Sequence, residues 1–327
     1  MIFNKFFILF KIGRKIGKSN IINIVSETHK IPVFIKLFFN LLAFSFSSSN
    51  DTKSKGKENL SESIQEMGTT FIKLGQFLAT RPDIIGEKLS KELESLQDKL
   101  PPFSKKEAEK IIIENLGQSN FDDIIDLSEP IAAASIAQVH KAKIKEDNII
   151  KNVAIKVLRP NIKKIFNDEI DAIMLLAYIV ESLISKTKRL KLIEVVFLFK
   201  EITNHEMDLR FEAAAANEYA ENTKNDLGFF VPKIYWNFTS ESVLTLDWVD
   251  GVSIREKDLL KEKNIETSKI ATNLIQHFLR HAVRDGFFHA DMHQGNIFIN
   301  ESSQIVPIDF GIMGRIDKLS RRYLAEI

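Results

Sequence analysis

The sequence predicts an α+β protein of two lobes preceded by a helical extension. Three observations point there. A stretch of tiny residues, Ala132-Ala133-Ala134-Ser135, runs into an apolar strand, Val153-Ala154-Ile155-Lys156-Val157-Leu158, that carries a single cation. A long helical run without Pro or Gly follows, from Leu192 to Asn222. Near the end, short strand-like segments alternate with polar loops, in Phe287-Phe288-His289-Ala290-Asp291, Asn296-Ile297-Phe298-Ile299 and Ile308-Asp309-Phe310-Gly311.

Composition narrows the function classes. At 327 residues the chain has room for about two domains or one two-lobed domain. Its 44% apolar and 27% charged residues are ordinary for a globular protein. A net charge of +1 gives no footprint for nucleic acid. The absence of cysteine excludes disulfides, thiolate metal sites and a cysteine nucleophile.

Residues 1–50 hold two apolar runs with interspersed cations. Met1 to Phe10 is followed by Lys11, Arg14, Lys15 and Lys18, and Ile31 to Phe46 contains Lys36 and Asn40. Neither reaches the roughly 20 apolar residues of a spanning helix, and no cleavage-site pattern marks a signal peptide. Two readings fit: amphipathic segments lying on a membrane surface with Lys at the headgroups, or helices packed on the protein's own core. Ser45 to Asn59 reads as a linker.

Residues 51–130 form the helical extension. Met67, Phe71, Leu74 and Leu78 make an apolar stripe, and Lys73, Gln76 and Thr80 fall on the other side. Lys73 and Gln76 thus share a polar face, which by composition alone is equally a solvated face. Helical pattern runs from Leu89 to Leu100 and stops at Pro101-Pro102. Ser104 with Glu107 predicts a capping box.

Residues 131–250 carry the first chemistry. Small side chains let a backbone approach phosphates, although Ala132 to Ser135 is also an ordinary small-residue turn. Lys156 inside an apolar strand decides between them, because burying its charge is expensive unless it meets an anion. An ammonium so placed after a small-residue loop sits on nucleotide phosphates. Its partner is expected on the helix holding Glu206-Met207-Asp208 and Glu212, with Asp208 and Glu212 on one face. Phe229 to Trp236 and Val243 to Val249 read as strands, and Asp250-Gly251 as a turn at the hinge.

Residues 251–327 carry the second. Asn296 stands five residues after Asp291, and Asp309 thirteen after Asn296. One carboxylate orients a nucleophile, while an amide oxygen and a second carboxylate hold a divalent metal on phosphates.

Together these pieces resemble the UbiB family of atypical, protein-kinase-like ATPases that support ubiquinone biosynthesis. The resemblance covers about residues 65 to 315 and rests on Lys73-Leu74-Gly75-Gln76, Ala132 to Ser135, Lys156, Glu206-Met207-Asp208 with Glu212, Asp291 with Asn296, and Asp309-Phe310-Gly311. Gln294 departs from the family's usual Pro. The resemblance implies a two-lobed kinase-like fold whose extension packs over the active site. It implies ATP and Mg²⁺ as cofactors. Ala132, Ala133, Ala134 and Ser135 would form the nucleotide loop, Lys156 would contact phosphates and pair with Glu212, and Asn296 and Asp309 would hold Mg²⁺. Asp291 would be the catalytic base, and Lys73 and Gln76 would meet Glu206 and Asp208 where a protein substrate would dock.

The implied client is therefore water, a small molecule or a lipid such as a polyprenylated quinone precursor. The implied place is the cytoplasmic face of a bacterial inner membrane, with other quinone-biosynthesis enzymes as partners and no nucleic acid. Two other classes stay open, a nucleotide-gated scaffold or lipid-extraction module without chemistry, and a small-alcohol phosphotransferase of the choline or aminoglycoside kinase type. Hydroxylase chemistry finds no support, since no dinucleotide fingerprint and no cysteine are present. With sixteen residues after Gly311, the C-terminal lobe is expected to be incomplete.

Overall fold

The computed structural model describes residues 2–18, 60–96, 100–183 and 185–326. The second apolar run and the linker lie outside the described residues. Helices α1 (Ile2–Lys18), α2 (Leu60–Met67), α3 (Thr69–Ala79), α4 (Pro82–Ile85) and α5 (Glu87–Leu93) come first. Next are α6 (Lys105–Leu116), α7 (Gln118–Asp122), β1 (Ile124–Ile125), β2 (Pro130–Ala133), β3 (Ala137–Glu146) and β4 (Ile149–Leu158). Helices α8 (Ile162–Leu183), α9 (Leu192–Glu206) and α10 (Leu209–Thr223) precede β5 (Val243–Asp247) and β6 (Gly251–Ser253). The remainder comprises α11 (Lys257–Glu262), α12 (Thr267–Arg280), β7 (Phe287–His289), β8 (Ile297–Asn300), β9 (Ile305–Pro307), β10 (Met313–Arg315) and α13 (Lys318–Glu326).

These elements form two compact units that alternate along the chain. Met1–Pro101, Ala134–Ile136 and Arg159–Asn204 make one, and Pro102–Ala133, Ala137–Leu158 and His205–Ile327 make the other. The contiguous blocks expected at 51–130, 131–250 and 251–327 are not the packing units. Packing explains the difference, because Ile112 of α6 belongs to the sheet's core.

In the first unit, Ile8, Leu9, Ile12 and Ile16 of α1 pack with Met67, Phe71 and Ala172. For this face, packing on the protein's own core is what the structure shows. Phe7 (67% exposed) and Phe10 (39% exposed) point the other way. Lys15 Nζ donates to the Met67 carbonyl at 2.7 Å. Gly68, at φ 103, turns the chain between α2 and α3 in a region that L side chains avoid. A second cluster joins Leu60, Leu89, Leu93 and Leu96. Phe199 of α9 packs on Phe77 and Phe166, each with ring centroids 5.5 Å apart. Arg159 donates to the carbonyls of Ala134 (2.8 Å), Pro101 (3.0 Å) and Leu100 (3.3 Å), tying three chain segments together. No described helix is long and apolar enough to cross a membrane.

The second unit is built on an antiparallel sheet of order β1-β3-β4-β5, with β2 also on β3. β3 and β4 pair over ten residues each, from Ala137 opposite Leu158 to Glu146 opposite Ile149. Asp147 (φ 51) and Asn148 (φ 62) close that hairpin, the two positive φ values that a tight two-residue loop between twisted strands requires. Val153, Ile155 and Val157 point into a core with Ile112, Ile144, Tyr235 and Phe238. The capping box at Ser104 and Glu107 forms as expected. Gln138 bonds both backbone groups of Phe103 (2.9 and 3.2 Å) and His140 Nε2 (2.9 Å). His140 Nδ1 meets the Ser128 carbonyl at 2.8 Å. Smaller sheets, β6-β8-β9 and β7-β10, complete the unit.

Three expected elements are corrected. The run from Leu192 to Asn222 is two helices, broken where Asp208 turns extended (φ −120, ψ 97) and its carboxylate takes the Arg210 N–H. Asp208 is therefore an N-cap and not a mid-helix neighbour of Glu212. Phe229 to Trp236 makes only isolated bridges to Ile305 and Leu246, then a 3₁₀ turn at Trp236–Phe238. Pro232 lacks the N–H that a ladder would need there. Gly251 is not in a turn but starts β6, where a Cβ would lie 2.6 Å from the Ile299 carbonyl oxygen.

Burial pushes the imidazoles of His140, His277 and His281 below their usual range, so the folded unit keeps them neutral. The unfolded chain takes up those protons near pH 6.5. Stability is therefore full above about pH 6.5 and falls as the pH drops from there toward the lower folded-state values, by up to about 1.4 kcal/mol per pH unit for each histidine. Denaturant unfolding between pH 5 and pH 8 is expected to show that slope. A flat profile would contradict it.

Candidate active site

The alternation of β4 places Lys156 on the sheet face opposite Val153, Ile155 and Val157. Its side chain is 18% exposed, and that of Glu212 only 8%. Glu212 lies in the first turn of α10, where a carboxylate also complements the helix dipole. Lys156 Nζ is 2.9 Å from both Glu212 carboxylate oxygens. Asp309 Oδ2 stands 3.6 Å from the same nitrogen. Burial opposes the Lys156 charge, but Asp309 and Glu212 outweigh it and hold the ammonium above its ordinary pKa. Burial, with Asp309, pushes the Glu212 carboxyl up against the pull of Lys156. The two-oxygen contact is the geometry of a charged ion pair.

Asp309 is held from behind. Phe310 beside it is fully buried, against Tyr219 and His289 at ring-centroid distances of 6.4 and 6.1 Å. The Phe310 N–H points to Glu212 Oε1 at 3.5 Å, and the Gly311 N–H donates to Asp309 Oδ1 at 3.0 Å. His289 Nε2 lies 2.6 Å from the Asp309 carbonyl oxygen, and its Nδ1 accepts from the Asp291 N–H at 3.1 Å. A neutral imidazole with its proton on Nε2 satisfies both, and burial keeps its pKa below the usual range. One histidine thus fixes the backbone of both acidic loops. Asp291 and Asp309 keep 42% of their side-chain surface exposed, open to a ligand.

Asn296 is joined to the same frame. Its Nδ2 donates to the Asp291 carbonyl at 3.4 Å, and the Ile308 N–H donates to the Asn296 carbonyl at 3.0 Å. With the amide nitrogen spent on Asp291, its oxygen is the atom left for a cation. The Asn296 amide and the Asp309 carboxylate are hard oxygen donors, a set that fits Mg²⁺. His293 reaches Asp291 Oδ2 at 3.9 Å and accepts from the Gly295 N–H at 3.0 Å.

The other expected residues are distributed as follows. Ala132 and Ala133 are strand residues of β2, opposite Val139 and Gln138. The turn itself is Ala134–Ile136, and it packs with the first unit. Ser135 is fully buried, and its carbonyl accepts from Thr69 Oγ1 at 3.3 Å. Its hydroxyl is thus inside the protein. Lys73 and Gln76 are half-buried on α3 in the first unit, while Glu206 and Asp208 belong to the second. Asp208 also holds Arg210 through two side-chain bonds of 2.9 and 2.6 Å. Sequence reasoning missed Tyr219, which touches Phe310 and lies seven residues, two helical turns, beyond Glu212.

Residues 95–327 match the ABC1 atypical kinase-like domain. The chain belongs to that family. Among curated relatives, it is 35% identical over 301 residues to the probable protein kinase UbiB of Marinobacter nauticus, covering 90% of this chain and 54% of that protein. The corresponding protein of Actinobacillus pleuropneumoniae is 37% identical over 272 residues, covering 80% and 50%. The chain thus spans about half the length of the curated relatives it matches. Among solved structures, the complex of Rv3197 with erythromycin from Mycobacterium tuberculosis aligns at 25% identity, with a TM-score of 0.56, over 74% of this chain and 59% of that one. The kinase-like fold expected from the sequence is thereby shown. Lys156, Glu212 and Asp309, which the structure brings together, all lie within the matched residues.

Lys156→Met would leave two carboxylates without their buried cation. It is expected to destabilise the second unit by about 3–5 kcal/mol, read by denaturant unfolding at neutral pH. A loss below about 1 kcal/mol, the worth of an exposed pair, would show that the pair is not held in the interior.

Proposed function

We propose that this chain is the ATP-binding, Mg²⁺-dependent part of an atypical kinase or ATPase that supports ubiquinone biosynthesis at a membrane. The observation that carries the reading is Lys156 held between Glu212 and Asp309, with Asp291 and Asn296 on the same backbone frame. Lys156 binds nucleotide phosphates. Asn296 and Asp309 would hold Mg²⁺, which when bound offsets phosphate charge. Asp291 orients the attacking oxygen and takes its proton as the bond to the γ-phosphorus forms and the bond to ADP breaks. Ala132 and Ala133 supply an edge backbone near the nucleotide.

The acceptor in this reading is water, a small molecule or a lipid such as a polyprenylated quinone precursor, and not a protein. The roles that the resemblance gives Lys73, Gln76, Glu206 and Asp208 in restricting the acceptor carry over with it. The site of action is the cytoplasmic face of a bacterial inner membrane, alongside other quinone-biosynthesis enzymes. Exposed Phe7, Phe10 and Lys11 support membrane contact, as an apolar patch edged by a cation. A second reading is a binding module that holds a small molecule without phosphorylating it. The erythromycin complex of the Mycobacterium relative favours it.

Two substitutions separate these readings. Asp309→Asn is expected to weaken Mg²⁺-dependent ATP binding by tenfold or more, about 1.4 kcal/mol, with the melting temperature retained. Asp291→Asn is expected to keep binding and to lower ATP turnover by about 10²- to 10⁴-fold, the usual worth of a general base. Calorimetry and phosphate release measure the two. Undiminished turnover in Asp291→Asn would remove the catalytic reading, and undiminished binding in Asp309→Asn the nucleotide site.

A further inference from the structure

Behind the metal loop lies a buried polar chain that the proposed chemistry does not use. Tyr219 sits two turns after Glu212 on α10, and both are buried. Its hydroxyl is 2.6 Å from His281 Nδ1, in the π-helical turn (His281–Asp285) that follows α12. His281 Nε2 is 2.9 Å from Asp226 Oδ2. Arg284 grips both oxygens of Asp226 at 2.7 and 2.9 Å, and also reaches the Asn222 carbonyl and Asp285. The Tyr219 ring packs edge-on against Phe229, Phe287 and Phe310 at centroid distances of 5.5, 6.0 and 6.4 Å.

The proton positions follow from charge and burial. Burial acts to raise the Asp226 carboxyl, but hydrogen bonds from Arg284 and His281 outweigh it and keep it ionised. Burial holds His281 neutral and the Tyr219 phenol protonated. Tyr219 O–H therefore donates to Nδ1, His281 Nε2–H donates to Asp226, and Asp226 accepts from Arg284. Loss of the Tyr219 hydroxyl would leave the buried His281 Nδ1 without this donor, whereas Asp226 Oδ2 accepts from both His281 and Arg284.

Asp226, His277 and His281 also place three potential ligand atoms within 4.8 Å of one another. The local charge tells against a cation there. Arg284 already neutralises Asp226, and Arg280 adds a second guanidinium 3.9 Å away. His277, whose buried Nδ1 has no hydrogen bond among the described residues, is a neutral neighbour whose ring centroid lies 5.7 Å from that of His281.

We propose that Tyr219, His281 and Asp226 are positioning residues that lock α10 against the metal loop, so that Glu212 stays on Lys156 and on the Phe310 N–H. This rests on the nucleotide-site reading for its purpose, but not for its measurement. Hydrogen exchange on the nucleotide-free protein reads the lock directly, whether or not ATP binds.

Tyr219→Phe keeps the ring and removes one hydroxyl. The expected result is exchange in 308–311 faster by about five- to tenfold, the worth of one buried hydrogen bond, with Mg²⁺–ATP affinity lowered by a similar factor. His281→Gln keeps a donor toward Asp226 and loses the tyrosine. It should match Tyr219→Phe, and the double variant should be no worse than either single one. Asp226→Asn, which keeps the shape and loses the charge, should shift exchange in the same direction. Wild-type exchange in Tyr219→Phe would overturn the proposal and leave the tyrosine a packing residue. Strictly additive effects in the double variant would also overturn it. So would a rise in melting temperature on adding zinc that His277→Ala abolishes, which would make the cluster a cation site. Failure of wild-type protein to bind Mg²⁺–ATP, with the exchange pattern intact, would instead remove the nucleotide reading and leave the lock standing.

Discussion

A buried ammonium is costly, and the second unit is arranged around removing that cost. Lys156 alternates with Val153, Ile155 and Val157, which face an apolar core, and its own charge has to be met from other elements. Glu212 comes from a helix start fixed by the Asp208 cap, and Asp309 from a loop anchored by Phe310. Remove the cation, and two carboxylates face each other in a partly dry space. The pairing therefore ties sheet, helix and loop into one device, and it leaves Asp309 exposed enough to exchange its lysine contact for a ligand.

His289 makes a comparable economy in the backbone. With one ring it binds the Asp309 carbonyl and the Asp291 N–H, so two acidic loops share a single reference point. The Tyr219 chain adds a third fixed edge on the far side of Phe310. The candidate site is thus open in front, where Asp291 and Asp309 reach solvent, and rigidly backed behind. Such an arrangement suits chemistry that depends on position and charge more than on a reactive side chain.

Much of this was legible in the sequence because it rests on local contradictions of pattern. A lysine inside Val153 to Leu158 needs an anion, and acids flanking short apolar runs need a purpose. Lys156, Glu212 and Asp309 were found that way, and the structure brings them together. What was not legible depended on geometry between distant residues. Nothing in the periodicity around Met207 shows that Asp208 leaves the helix to cap the next one. The apolar run from Phe229 looked like a strand, yet Pro232 and a 3₁₀ turn leave it only isolated bridges. Tyr219 and His281 are 62 residues apart, and no local signal links them. For α1 the sequence left two readings, and the packing of Ile12 on Ala172 answers for one face of the helix.

The alternation of the two units along the chain also governs how the protein is made. Ile12 packs on Ala172 as well as on Met67 and Phe71, so the last part of the first helix's seat waits for about 160 residues of further synthesis, roughly 8 to 30 seconds at typical elongation rates. Meanwhile Arg159, which stitches Leu100, Pro101 and Ala134, has yet to emerge. Until then the apolar face of the first helix has Met67 and Phe71 to rest on, and the Ala172 side of its seat is still missing. That is the interval in which a chaperone, or a bilayer beside the ribosome, would find it.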